Sequence, residues 1–431
     1  ARDVANHGGN TIYYANLATE PETFIMAVNA ARKHGIYVFA QLGGKMYLRP
    51  DKGREYYETV TKPAAEAILP QYKGLEGVLG WMGKEEASAA EMPLVIEYRK
   101  WCRQIDPTHA LFTLNNRLEG FQADTEAYPE WYGFDRYRFK VVNPGFVIST
   151  PREVVSMLSS EMAGCYDEAA KRGRPLICVG QAWTFQIDQK TNKMERKSGF
   201  REVSPGVWRG WQRYLPEHAM FLQTWLGITE GSQGSLWYHY YGATKGRDTS
   251  MGKWLREECL VDENGNESRY WKELGQCFHE IQRLTPLFLS WHKEGLKLGA
   301  VDNPWIKAKS FIREFDHERY YVLLNTRIAE WDQTSPYRPG NDTKLYFDDK
   351  GLAGFEKVGE LEFKFTPAGK DPLWDVLSAN KLTGNEDGSY TLKLQPGRGI
   401  VLMQGTAKDI KATAERLNAK GIDKPSVLRR D

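Results

Sequence analysis

The chain has 431 residues, 41% hydrophobic and 26% charged, with a formal net charge of +2. That length and composition fit a globular protein of two or three domains and exclude a disordered chain. So small a net charge gives no reason to expect nucleic acid or an anionic membrane as partner. No stretch approaches the roughly 18 consecutive apolar residues that a membrane span needs.

Strand and helix signals alternate from the start. DVANHGG reads as the end of a helix, and NTIYY (10–14) as a short strand. PETFIMAVNAARKHG (21–35) opens on proline, closes on glycine and places Phe24, Ala27, Val28 and Ala31 at helical spacing. IYVFAQL (36–42) is a continuous apolar strand of the kind buried on both faces. A helical stretch over 55–73 leads to GVLGWMGKEE (77–86), where a strand-like segment runs directly into Lys84, Glu85 and Glu86.

The rhythm continues with a helix over 93–105 and the strand ALFTLNN (110–116), which ends on Asn115 and Asn116. WYGFDRYRF (131–139) is a strand that carries Asp135. A helix over 151–173 follows, with Val155, Leu158, Met162 and Cys165 on one face. PLICVGQAW (175–183) is a strand ending at Gln181 and Trp183. After a helix over 216–234, SLWYHYY (235–241) is the last strand of the series, and a helix over 268–284 closes it.

Seven such strands, alternating with helices at all but one step, predict parallel β/α units. A closed (β/α)8 TIM-type barrel needs eight, and the simplest account puts the first strand upstream of this chain. A doubly wound sheet competes less well, because no GxGxxG loop follows any strand. From about residue 290 the segments become short, strand-like and alternating, as in an antiparallel β-sandwich. The expected organisation is a barrel over 1–290, a β-sandwich over 295–405 and a polar helix or tail over 406–431.

All strand C-termini of a β/α barrel converge on one mouth, so polar groups there are the catalytic candidates. Glu85, Glu86 and Asp135 qualify, and Glu126 and Glu130 could reach the rim. Two carboxyl groups across a cleft suffice to cleave a glycosidic bond, one protonating the leaving oxygen, the other attacking or activating water. Alternation along a strand implies that only one of Glu85 and Glu86 faces the cleft. The same residues also fit a solvated turn, and Asp135 could simply pair with its neighbouring arginines. Aromatic residues make up 13% of the chain, clustered with polar groups in YPEWYGFDRYRF, VWRGWQRY and WYHYYG. Flat rings beside hydrogen-bonding groups suit sugars.

At these residues the chain resembles the (β/α)8-barrel glycoside hydrolases with a C-terminal β-sandwich, including β-galactosidase-like members. Gly80-Trp81-Met82-Gly83-Lys84-Glu85-Glu86 is similar to their fourth-strand motif G-W-Y-x-G-D-E-P, which implies that Glu85 is the general acid. Asp135-Arg136-Tyr137-Arg138 stands where D-x-Y-P is common, and Gly234 to Tyr241 where G-x-x-Y-Y is. The segment from Asp262 to Trp271 is similar to a D-x-x-G-x-x-x-x-Y-W lead-in. Lys84 replaces the usual Asp and Glu86 the usual Pro, while Gln181 stands where a nucleophilic Glu would.

The expected activity is therefore hydrolysis of a poly- or oligosaccharide, with Glu85 as acid, Asp135 as partner carboxylate and Glu86 in reserve. Trp81, Asn115, Asn116, Tyr137, Gln181, Trp183, Trp237, His239 and Tyr241 would line the sugar site. Arg136 and Arg138 raise an anionic substrate, although isolated arginines are more often structural. A binder without catalysis on the same scaffold is the alternative. A barrel enzyme of nucleotides or phosphate esters ranks third, since no phosphate-cradling glycine loop is present.

No cofactor or metal is expected. The five cysteines, Cys102, Cys165, Cys178, Cys259 and Cys277, form no CxxC pair and read as core residues. The first residues have no apolar signal core, so any export signal has been removed or never existed. A secreted, periplasmic or cell-surface location is expected.

Overall fold

A computed structural model describes residues 1–14, 19–124, 129–143, 151–187, 201–204, 207–213, 215–241, 248–249, 252–293, 299–313, 317–331, 347–348, 351–352 and 355–418. The chain divides into two compact units. One comprises residues 1–136, 160–179 and 234–236, and the other 137–159, 180–233 and 237–431.

All seven strand candidates of the first half join one sheet. They are β1 (Thr11–Tyr14), β2 (Tyr37–Gln41), β3 (Val78–Met82), β4 (Ala110–Asn115), β5 (Trp131–Asp135), β6 (Leu176–Gln181) and β7 (Gly234–Tyr238). Their order in the sheet is their order in the chain, with parallel pairing along β1 to β6. That is the stepwise progression of a β/α barrel. The path runs open from β1 to β7 among the described residues.

Each connecting helix follows from local chemistry. Pro21–Arg32 starts on a proline whose missing N–H costs nothing at a helix start, and it buries Phe24, Val28 and Ala31. Gly35, at φ +70°, donates to Arg32 O and lets the chain turn into β2, a conformation that a side chain would strain. Met92–Ile105 buries Met92, Val95, Tyr98 and Cys102 with the same spacing. The expected helix over 55–73 is broken into short pieces, including a π turn at Tyr57–Thr61.

One irregularity decides which side chains point where. Val38 pairs with Val78, but Phe39 pairs with Gly80, so β3 carries an extra residue at Leu79. Such a bulge inverts the alternation beyond it. Met82 joins Phe39, Leu79, Phe112, Leu114, Ile177 and Val179 in the inner core. Trp81 goes the other way, to the helices. It is 1% exposed, its ring centroid lies 5.3 Å from Tyr72 and 5.8 Å from Phe24, and its Nε1 donates to Asp106 at 2.8 Å. The expectation that Trp81 lines a sugar site is therefore corrected: it is a core residue.

Asp106 is the polar anchor under that core. It accepts from Trp81, from His109 Nδ1 at 2.6 Å and from the Thr108 N–H at 3.0 Å. Burial alone would raise its pKa, but these donors outweigh burial and hold it below the ordinary carboxylate range.

The second unit is largely antiparallel. Strands Lys140–Asn143, Thr184–Ile187, Val207–Arg213 and Gly252–Glu258 build one sheet, from segments that follow β5, β6 and β7 in the chain. VWRGWQRY, read from sequence as an aromatic cluster, supplies one of its strands. Further on, a six-stranded sheet runs from Trp291–Lys293 through Ile306–Arg313, Arg319–Asn325, Gly399–Gln404 and Leu373–Asp375 to Asn380–Lys381. A three-stranded sheet of Gly299–Val301, Leu361–Pro367 and Tyr390–Leu394 shares its core through Tyr321, Leu323, Phe363, Phe365, Leu392 and Leu402. These are the expected sandwich-like strands. The last described element is the helix Ala407–Asn418. No described helix is long and apolar enough to cross a membrane.

Trp81→Phe keeps an aromatic ring but deletes the N–H that Asp106 accepts. It is expected to lower stability by about 2 kcal/mol, read from the urea midpoint at unchanged m-value.

Candidate functional site

The segment after β3 is pinned to its neighbour. Gly83 leaves no room for a side chain, since an added Cβ would lie 2.6 Å from the Tyr98 ring. Glu85 forms a parallel bridge with Leu114 of β4, and the Glu86 N–H donates to Leu114 O at 2.8 Å. The Glu85 N–H donates to the Tyr47 hydroxyl at 3.2 Å, and Lys84 Nζ donates to Glu85 O at 2.5 Å. Glu86 sits at φ +50°, a left-handed conformation costly for a residue with a side chain.

This backbone brings three carboxyl groups together. Tyr13, at the end of β1, donates its hydroxyl hydrogen to Glu85 Oε1 at 2.8 Å. Asp135, the last residue of β5, is 6% exposed and feels the charges of Glu86 and Glu85. Asp135 Oδ1 is buried with no hydrogen-bond partner among the described residues. Burial, and then the charges of Glu86 and Glu85, push the Asp135 pKa up to about 8. Burial also raises Glu85, while the Tyr13 hydroxyl and the Lys84 ammonium pull it back toward its charged form. Burial and the adjacent Glu85 raise Tyr13, so it remains a neutral donor.

Alternation along a regular strand would have turned only one glutamate toward Asp135. Both act on it, because the left-handed turn at Glu86 breaks that alternation. Tyr13 and Tyr47 were missed by the sequence reading. The signal available was position: Tyr13 lies one residue before the end of β1, and Tyr47 lies in the segment after β2.

Other expected site residues are placed differently. Asn115 is 2% exposed and lies on the helix side, where its amide packs on Gly120, while Leu114 takes the inward position. Its expected sugar contact is corrected on that ground. Asn116 is half-buried just beyond β4. The Arg136 guanidinium lies 3.6 Å from Glu161, the structural role weighed for it. Glu130 precedes β5 rather than ending it, and it accepts from the Leu111 N–H at 2.7 Å, so it does not reach the rim. Glu126 lies outside the described residues.

In the second unit, Gln181 is completely enclosed. Its Nε2 donates to Phe139 O and Trp183 O at 3.0 and 3.2 Å, and Gln223 bridges its backbone. Tyr137, Trp183, Tyr238 and His239 form a ring cluster: Tyr137 stacks on Tyr238 at 5.8 Å, and Trp183 on His239 at 6.2 Å. His239 Nε2 lies 3.2 Å from Cys259 Sγ. Trp237 covers Gly180, where an added Cβ would meet its ring at 2.5 Å. Tyr238, Tyr240 and Tyr241 are 47%, 40% and 50% exposed, and Arg138 is half-buried.

Asp135 makes stability depend on pH with a definite sign. A carboxyl raised from 3.8 to about 8 binds its proton more tightly in the folded state, so its stabilising contribution is complete below 3.8 and is lost as pH rises through about 8. The melting temperature of the wild-type chain should fall across that window. Asp135→Asn should flatten the fall, and melting curves at pH 5 and pH 9 compare the two.

No protein-family model matches the chain, and no curated protein matches it in sequence. Solved structures do match in fold. One is AmyP in complex with maltose, 11% identical over 93% of this chain and 87% of that one, with a TM-score of 0.50. A glycoside hydrolase family 5 protein from Bacteroides vulgatus ATCC 8482 is 12% identical over 95% and 85%, TM-score 0.50. A third, titled glycoside hydrolase, is 10% identical over 95% and 88%, TM-score 0.51. The chain thus has the fold of these glycoside hydrolases: a parallel sheet of the TIM-barrel type followed by antiparallel sheets.

Proposed function

We propose that the chain is a glycoside hydrolase acting on a poly- or oligosaccharide through Glu85, Glu86 and Asp135. The observation that carries this reading is Asp135, buried at the end of β5 with its Oδ1 unpartnered among the described residues, where burial and the charges of Glu86 and Glu85 raise its pKa. A carboxylic acid with a raised pKa next to a second carboxyl group is the pairing glycoside cleavage requires. That a protein of similar fold is titled as binding maltose supports a carbohydrate ligand.

This reading exchanges the roles that the sequence motif implies. Burial raises the Glu85 pKa and the Tyr13 hydroxyl and Lys84 ammonium oppose that rise; Glu85 serves as the carboxylate that attacks the anomeric carbon or activates water. The Asp135 proton passes to the departing oxygen as the C–O bond breaks. Water supplies the hydroxyl that ends on the sugar, and its remaining proton restores the acid. A polymeric substrate fits a secreted, periplasmic or cell-surface location.

Glu85→Gln should lower the rate by at least about a thousandfold on whichever polysaccharide of a purified panel releases reducing ends, with sugar affinity retained. A silent carbohydrate binder would release no reducing ends in the wild type. The alkaline limb of the activity profile should fall with the Asp135 proton near pH 8. An unchanged limb in Asp135→Asn would remove Asp135 from the acid role.

A further inference from the structure

We infer that the sugar bound at this cluster carries an anionic group, a uronate carboxylate or a sulfate ester, and that Arg49 recognises it. The inference rests on reading Glu85, Glu86 and Asp135 as a carbohydrate site. Arg49 is exposed on the loop that follows the turn Gly44–Met46. Its guanidinium lies 5.3 Å from the centroid of the Tyr47 ring, and the Lys84 ammonium lies 6.0 Å from the same centroid. The hydroxyl of that ring accepts the Glu85 N–H. Two cations therefore share one aromatic ring, and that ring touches the backbone of a candidate catalytic carboxylate.

The two cations have different work. Lys84 uses one N–H on Glu85 O, and its charge lowers the Glu85 pKa. Arg49 has no hydrogen bond or ion pair among the described residues; the Tyr47 ring is its contact. Several other arginines of this unit are paired with carboxylates: Arg32 with Glu76, Arg54 with Glu97, Arg99 with Asp124 and Arg136 with Glu161. A guanidinium lying against a ring keeps its edge N–H groups available, and their fork matches a carboxylate or sulfate bidentately. Negative charge on the glutamates close by would repel an anionic sugar. Arg49 and Lys84 offset that repulsion on the Tyr47 side, so the substrate's charge has one favourable orientation.

Affinity electrophoresis of the full chain tests this in gels containing polygalacturonate, dextran sulfate or neutral dextran. The wild type is expected to be retarded by at least one of the anionic polymers and much less by the neutral one. Retardation by polygalacturonate or by dextran sulfate distinguishes uronate from sulfate. Arg49→Ala should weaken the anionic interaction about tenfold, and Arg49→Lys should restore part of it. Lys381→Ala, an equal charge change at an exposed site of the second unit, should leave it unchanged. Equal mobility of wild type and Arg49→Ala in both anionic gels overturns the inference, as does an equal loss in Lys381→Ala. The readout is binding, so anionic binding without released reducing ends defeats hydrolysis and leaves the Arg49 assignment standing. Reducing ends released from neutral polymers alone, unaffected by Arg49→Ala, do the reverse.

Discussion

Leu114 of β4 bridges Glu85 and accepts the Glu86 N–H, and these two backbone contacts determine what the carboxyl groups can do. Two consecutive glutamates on a free turn would spread apart in water and ionise independently. Fixed against β4, both act on Asp135, the end of the next strand in the sheet. Asp135 is too enclosed to hydrate a charge, so the cheapest arrangement leaves a proton on it. The left-handed backbone of Glu86 is the strain that accompanies this arrangement.

The fold was legible because its signals are periodic and redundant. Seven apolar runs, most of them separated by helical faces, point to parallel strands, and the observed sheet follows chain order throughout. Glu85 and Asp135 could be singled out for the same reason: both end apolar strands on charge. The bulge at Leu79 was not legible. VLGWM reads equally well with either parity, and one inserted residue moved Trp81 from the expected site into the helix-facing core. Asn115 failed by the reverse route, since regular alternation carries it outward once Leu114 takes the inward place.

Long-range pairings were equally hidden. The sheet formed by Lys140–Asn143, Thr184–Ile187, Val207–Arg213 and Gly252–Glu258 joins segments far apart in the chain, and no local pattern encodes that. Tyr13 and Tyr47 were passed over because a tyrosine at a strand end is ordinary on its own. Their importance comes from Glu85, which accepts one hydroxyl hydrogen through its carboxylate and donates its backbone N–H to the other. Gln181 shows the opposite error. A polar residue ending an apolar strand suggested a ligand contact, whereas its amide holds the backbone at Phe139 and Trp183.

The charge balance around Glu85 also accounts for the departure of KEE from the more usual acidic, proline-containing turn. Aspartate at position 84 would put a fourth negative charge beside Glu85, Glu86 and Asp135, and would drive protons onto more than one of them. Lysine there does the reverse, opposing the rise that burial gives the Glu85 pKa, while burial raises Asp135. Proline at position 86 would lack the N–H that Leu114 accepts and could not adopt φ +50°. The two substitutions are therefore coupled through one requirement: carboxyl groups held close together by the β4 backbone, with a cation beside them to offset their charge.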